Sequence, residues 1–147
     1  MTPAALKTLI ESDAEALALA RSGAADLCAK RCMLIAPKVR TSKMLTERGL
    51  YAELGPLVAE TILQKLEGYA QAGQPFSALV KRFLKWLEPT NDGVDFGLQD
   101  TLDMAGALTQ GGLLTNEEYA AINSVSLVAP TITGADVSTA YPFPPQD

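Results

Sequence analysis

The chain has 147 residues, is 48% hydrophobic and only 6% aromatic, and carries a net charge of −5 with no histidine. Its length and apolar content suit one ordinary globular domain that buries its core without staples, and no apolar run approaches the roughly 18 residues of a membrane span. The lack of histidine removes the commonest general base at neutral pH and the commonest transition-metal ligand, which excludes His-dependent serine and cysteine hydrolases.

Ala and Leu dominate, a composition that favours helices packed through small side chains. Thr2-Pro3 predicts a helix start, because the hydroxyl accepts a backbone N–H and proline takes a first-turn position that has no intrahelical partner. This first helix is expected to reach Arg21, with Leu6, Leu9, Ile10, Leu17 and Ala20 inward, and to end at Ser22-Gly23. A second over residues 24–34 carries Leu27, Met33 and Leu34 until Pro37 prevents its continuation. Thr41 or Ser42 is expected to cap a third helix holding Met44, Leu45, Leu50 and Leu54. Gly55-Pro56 resets the chain, and "PLVAETILQKLEGYAQAG" then repeats Leu57, Val58, Ile62, Leu66 and Tyr69 at three- and four-residue steps before Gly73 closes it.

Pro75 opens a fifth helix in which Phe76, Leu79, Val80, Phe83, Leu84 and Leu87 are expected to be buried, Lys81, Arg82 and Lys85 outward and Trp86 half covered. "PTNDGVDFG" reads as a loop of turn residues, and a helix over 98–110 stops at Gly111-Gly112. Thr115 and Glu118 stand at capping-box spacing and start a seventh helix. From Leu127 the text mixes β-branched residues, glycine and four prolines, with room for one helical turn over Gly134–Ala140 and the rest extended. The reading is therefore an all-α fold: an irregular array of six to seven short helices over residues 1–126, followed by an extended Pro-rich C-terminal arm over 127–147. A chain ending at Ala129 is expected to keep the domain folded.

Charge is unevenly spread. Residues 30–48 hold Lys30, Arg31, Lys38, Arg40, Lys43 and Arg48 against Glu47 alone, whereas from Glu88 onward there are nine acids and no Lys or Arg. Such polarity can steer one copy's basic face onto another's acidic face, or the two segments can neutralise each other within one fold. The basic stretch lacks an aromatic residue for stacking bases and sits in an acidic chain, so an acidic protein partner fits it better than nucleic acid, which is not expected to bind.

No motif specifies a reaction, and no catalytic residue, cofactor or metal is expected. Cys28 and Cys32 lie four apart on one helix face, but the chain has no two further Cys or His ligands to close a zinc site; they read as small buried hydrophobes, with a redox or intersubunit bond as the alternative. "NDGVDFG" lacks the terminal acid of a calcium loop, and "GGLLTNEE" follows a helix and lacks the phosphate-loop lysine. Asp100 and Asp103 share a helix face near its start, where they complement the helix dipole. The first twenty residues carry acids where a signal peptide is basic and then apolar, so synthesis in a cytoplasm is expected.

The ending, "AYPFPPQD", alternates rings with prolines that hold the chain extended and lower the entropy lost on docking. Tyr141, Phe143 and Pro144 are its candidate contacts, either with the chain's own core or with a neighbouring subunit; Arg31, Lys38, Arg40 and Lys43 are the candidate electrostatic face.

The succession "LTERGLYAELG", "VDFGLQDTLDMAGALTQGGLLTNEEYAAI" and "GADVSTAY" resembles small acidic helical proteins encoded among the structural genes of tailed bacteriophages, over roughly residues 41–140. The resemblance implies a virion or virion-assembly role without a catalytic site. The expected function is thus a non-enzymatic phage structural or assembly protein, made in the host cytoplasm and residing in the virion. It docks to other virion proteins or to copies of itself through its arm and charge polarity, with no membrane partner. The alternative is a small soluble inhibitor or regulator of a host protein.

Overall fold

In a computed structural model, which describes residues 1–144, the helix expected from Thr2 to Arg21 is two: α1 (Pro3–Ser12) and α2 (Ala14–Arg21). Asp13 breaks it. Its backbone is extended, and its carboxylate accepts the N–H of Ala16 at 3.0 Å, capping α2 where α1 ends. The chain continues through α3 (Ala25–Ile35), β1 (Val39–Arg40), β2 (Met44–Leu45), α4 (Glu47–Leu54), α5 (Pro56–Ala70) and α6 (Ser77–Leu87). It ends in β3 (Val94–Asp95), α7 (Gln99–Gln110), α8 (Asn116–Ser124), β4 (Leu127–Val128) and α9 (Gly134–Ala140). The fold is predominantly α, 63% helix, with nine helices among the described residues rather than six or seven.

Two compact units are present. One joins residues 1–39 to the described residues from Val128 onward, and the other spans residues 40–127.

In the first unit α9 packs on α3 and α1, and α2 packs on α3. The segment after Leu127 is therefore not simply an extended arm. Thr133 and Asp136 form a capping box, each side chain accepting the other's backbone N–H, at 3.2 and 2.8 Å, and Val137 and Ala140 are buried. A Cβ on Gly134 would fall 2.0 Å from Oδ1 of Asp26, so glycine allows α9 to begin against the first turn of α3. The core is built from small residues: Ala16, Ala20, Cys28, Ala29, Cys32, Ala36 and Ala140 surround Leu6, Ile10, Ile132 and Val137. That choice of face leaves Met33 and Ile35 at the edge of the core and turns the leucines of α3 outward. Leu27 and Leu34, expected inside, are 55% and 79% exposed.

The second unit packs α5 on α4 and α6, and α7 on α8, around Ile62, Leu63, Leu66, Val80, Phe83, Leu87, Phe96, Leu108 and Ile122. Phe83 and Phe96 meet edge to face, centroids 6.1 Å apart. The residues just after Thr41 do not begin a helix, because β2 pairs antiparallel with β3, Met44 opposite Asp95 and Leu45 opposite Val94. Asp95 fixes this pair: its carboxylate accepts the Ser42 hydroxyl (2.9 Å) and the N–H groups of Lys43 (2.9 Å) and Gly97 (2.8 Å). The backbones approach so closely that a Cβ on Gly97 would lie 2.0 Å from the Thr41 carbonyl oxygen. Helix α4 starts only at Glu47. On α6 the buried face is Ser77, Val80, Phe83 and Leu87, leaving Phe76, Leu79 and Trp86 49%, 44% and 50% exposed.

Because α9 supplies Val137 and Ala140 to the first unit's core, a chain ending at Ala129 is expected to lose that unit rather than stay folded. Thermal melts followed by circular dichroism should show a lowered midpoint and reduced helicity for this truncation, while a chain ending at Ala140, which gives up only the half-buried Tyr141 and the Phe143 ring on Gly23, loses much less. Equal melts for all three would make α9 dispensable.

Candidate interaction surfaces

The four cations expected to form one face occupy different settings. Arg31, on α3, makes a two-pronged contact with Asp13, Nε to Oδ2 at 2.9 Å and a second nitrogen to Oδ1 at 3.0 Å, and lies 3.3 Å from a Glu15 carboxylate oxygen. The guanidinium and the Ala16 N–H hold the Asp13 carboxyl down at about 2, and Asp13 in turn raises the pKa of Arg31. Arg40 donates to the Asn123 carbonyl at 2.8 Å, to the Ser126 hydroxyl at 2.5 Å and to the Asn123 side-chain oxygen at 2.9 Å, holding the last turn of α8 and the residue two beyond it. Lys43 pairs with Glu53 at 3.1 Å. Lys38 is exposed and makes no ion pair among the described residues. Arg31 and Lys38 belong to the first unit, Arg40 and Lys43 to the second.

The tail residues are brought together on the first unit. Tyr141 is half-buried against its core, and the Phe143 ring lies on Gly23, where a Cβ would be 2.8 Å from ring Cδ1. Gly23 has φ +79°, a conformation that favours glycine. With Ala20, Val137, Ser138 and Pro142 they border a groove of 240 Å³. Phe143 remains 59% exposed and Pro144 is exposed; the rest of the expected arm, residues 145–147, lies outside the described residues.

Cys28 and Cys32 are free and fully buried. Burial raises both thiols, Cys32 to about 12, and the Cys28 thiol donates to the Ala16 carbonyl at 3.3 Å. Thiols held protonated in this way are poor nucleophiles and pack as small apolar side chains. Among the described residues no group of three or more Cys, Asp or Glu is placed to hold a metal ion.

One surface of the second unit escaped the sequence reading, and another was read only in part, with Trp86 half covered but Leu79 inside. The first is an open cleft of 760 Å³ between the C-terminal half of α5 and the end of α7, lined by Gly68, Tyr69, Pro75, Phe76, Ala107 and Gly111 among others. Glycine within α5, costly to a helix, was its only sequence signal. Beside it Lys65 reaches Glu118 at 2.5 Å. Burial would raise the Glu118 carboxyl, but Lys65 and the Thr115 N–H hold it below its ordinary value. The other surface is the outer side of α6, where Leu79 and Trp86 stand one heptad apart.

Compared with known proteins, the chain matches no protein-family model, no curated protein and no solved structure.

The Asp13 carboxyl is depressed in the folded chain, so its stabilising effect is complete above 3.8 and is lost as pH falls towards about 2. Asn keeps the helix cap but cannot titrate. Denaturant midpoints for the wild type should therefore fall more steeply across that window than those of Asp13→Asn; parallel curves would show that the pair does not couple to folding. Thiol labelling at neutral pH is expected to run about 100-fold slower in the native than in the unfolded chain, and prompt native labelling would contradict the buried, protonated state.

Proposed function

We propose that the chain is a non-enzymatic structural or assembly protein of a phage particle that docks to neighbouring subunits, other virion proteins or copies of itself. The observation that carries this reading is the outward display of large apolar side chains on regular helices: Leu34 at 79%, Leu57 at 85% and Trp86 at 50% exposure. Each such residue forgoes about 25 cal/mol for every Å² of apolar surface left in water. A partner that covers them recovers that term. The half-exposed Phe143 beside Pro144 adds a ring on a stiff segment, a form suited to filling a pocket with little entropy loss. Lys38 is the member of the expected basic face that remains available for steering. The resemblance of residues 41–140 to small phage structural proteins supplies the particle, and residence in the virion follows from it.

The test is incorporation. Mass spectrometry of purified particles should find the full chain at fixed copy number, and a chain ending at Ala140, which keeps α9, should be incorporated about tenfold less if Tyr141–Pro144 anchor it. Absence of the full chain from particles, with one-to-one binding to a host protein, would replace this reading with that of a host-directed regulator.

A further inference from the structure

Helix α6 has one side committed to the core and one side that nothing in its unit covers. Leu79, Arg82 and Trp86 follow at i, i+3 and i+7, so they share a single outer face beside the buried Val80, Phe83 and Leu87. Leu79 is 44% and Trp86 50% exposed, and Arg82 forms no ion pair among the described residues. The neighbouring cations are differently placed: Lys81 and Lys85 border a groove of 420 Å³ shared with Glu47, Glu67 and Glu88, so acids surround them already. Arg82 is the cation on the Leu79–Trp86 side. A tryptophan and an arginine on a rigid helix, next to an apolar ledge, form the composition that dominates binding energy at protein interfaces.

The complementary face is on α7. Asp100 and Asp103 stand at i and i+3, exposed, and neither makes a salt bridge among the described residues. Asp103 only accepts a hydrogen bond from the Gln99 side chain at 2.8 Å. Leu98, directly before the helix, is 52% exposed. No Lys or Arg occurs after Lys85, so α7 to α9 hold no cation of their own to answer these acids. Within their unit α6 packs on α5 and β3 and α7 packs on α8, while the residues named on the two outer faces are exposed.

We propose that the α6 face of one copy, Leu79, Arg82 and Trp86, docks on the α7 face of a second copy, Leu98, Asp100 and Asp103, in a head-to-tail contact. The proposal rests on the reading of the chain as a protein that docks to its neighbours, and it assigns that docking to two surfaces of one unit. Opposite formal charges align the helices, and Trp86 and Leu79 cover Leu98, so that charge sets register and apolar contact sets lifetime. The contact is heterologous: each copy offers one face of each kind and can be bound at both.

The test is a charge swap read by light-scattering mass across protein concentration at low and high salt. The wild type should associate, less so at high salt. Arg82→Glu, or Asp100→Lys with Asp103→Lys, should each weaken association about tenfold or more by setting like charges face to face. Mixing the two variants should restore it, because the reversed faces then match. Restoration also shows that both variants fold, and unchanged circular dichroism checks each alone. Unaltered mass in all variants, with the wild type still associating, would overturn this contact and leave docking to neighbours standing. A wild type that stays monomeric at every concentration would overturn it too, and particle incorporation would then judge the broader reading separately. Binding of a labelled oligonucleotide that Arg82→Glu abolishes, without self-association, would reassign α6 to nucleic acid.

Discussion

One carboxylate organises the first unit. Asp13 turns the chain between α1 and α2, caps α2 through the Ala16 N–H, and grips the Arg31 guanidinium of α3 with both oxygens. The same residue 16 that gives Asp13 its N–H offers its carbonyl to the Cys28 thiol, so a single seam between α2 and α3 is closed from both ends. A charged pair on a partly open surface contributes little through attraction alone. Here its value is geometric. A two-pronged contact allows few orientations, and it holds two helices at a distance where alanine and cysteine fill the space between them.

That close approach has a consequence for the outside. A helix whose inward stripe is Cys28, Ala29 and Cys32 buries small side chains, and its Leu27 and Leu34, off that stripe, face water. The second unit reaches the same outcome differently. Its helices bury Leu, Ile and Phe, but α5 and α6 each carry more apolar residues than one stripe can use, and Leu57, Leu79 and Trp86 are the surplus. Surface apolar residues scattered singly are ordinary in globular proteins. An exposed tryptophan one heptad from an exposed leucine, with an arginine between them, is an organised surface rather than scatter.

Much of the architecture was legible in local sequence signals. The helices opened by Thr2-Pro3 and Gly55-Pro56, the Thr115–Glu118 capping box and the stop at Gly111-Gly112 all stand where caps and breakers put them. What misled was long-range. Asp13 looks like a polar residue on a helix surface until Arg31, eighteen residues away, is there to engage it. Thr41 and Ser42 look like helix caps, but Asp95 takes the Ser42 hydroxyl and the Lys43 N–H for a strand pair. The helical turn expected over Gly134–Ala140 is present as α9, opened by the Thr133–Asp136 capping box, but no local signal showed that it packs on α3 and α1. On α3 the expected burial of Cys28 and Cys32 holds, but apolar periodicity, which ranks leucine above alanine and cysteine, also placed Leu27 and Leu34 inside, where they are not. The candidate cations were visible as a cluster in sequence but not in their commitments: Arg31, Arg40 and Lys43 are each answered within their own unit.

Charge asymmetry survives that correction in a different place. With Arg31, Arg40 and Lys43 engaged, the imbalance that remains lies where the chain carries acids and no cations, from Glu88 onward. Glu118 is met by Lys65 and Asp95 by backbone N–H groups, while Asp136 completes its own cap. Of the other described acids, Glu88, Asp92 and Glu117 are exposed singly, while Asp100 and Asp103 stand together on one exposed helix face. A contact between such a face and a cationic ledge elsewhere on an identical chain is heterologous, and a heterologous contact repeats until a rotation closes it or a filament extends. The angle between the α6 and α7 faces would therefore decide the symmetry of any assembly, and the few side chains on them would decide only its strength.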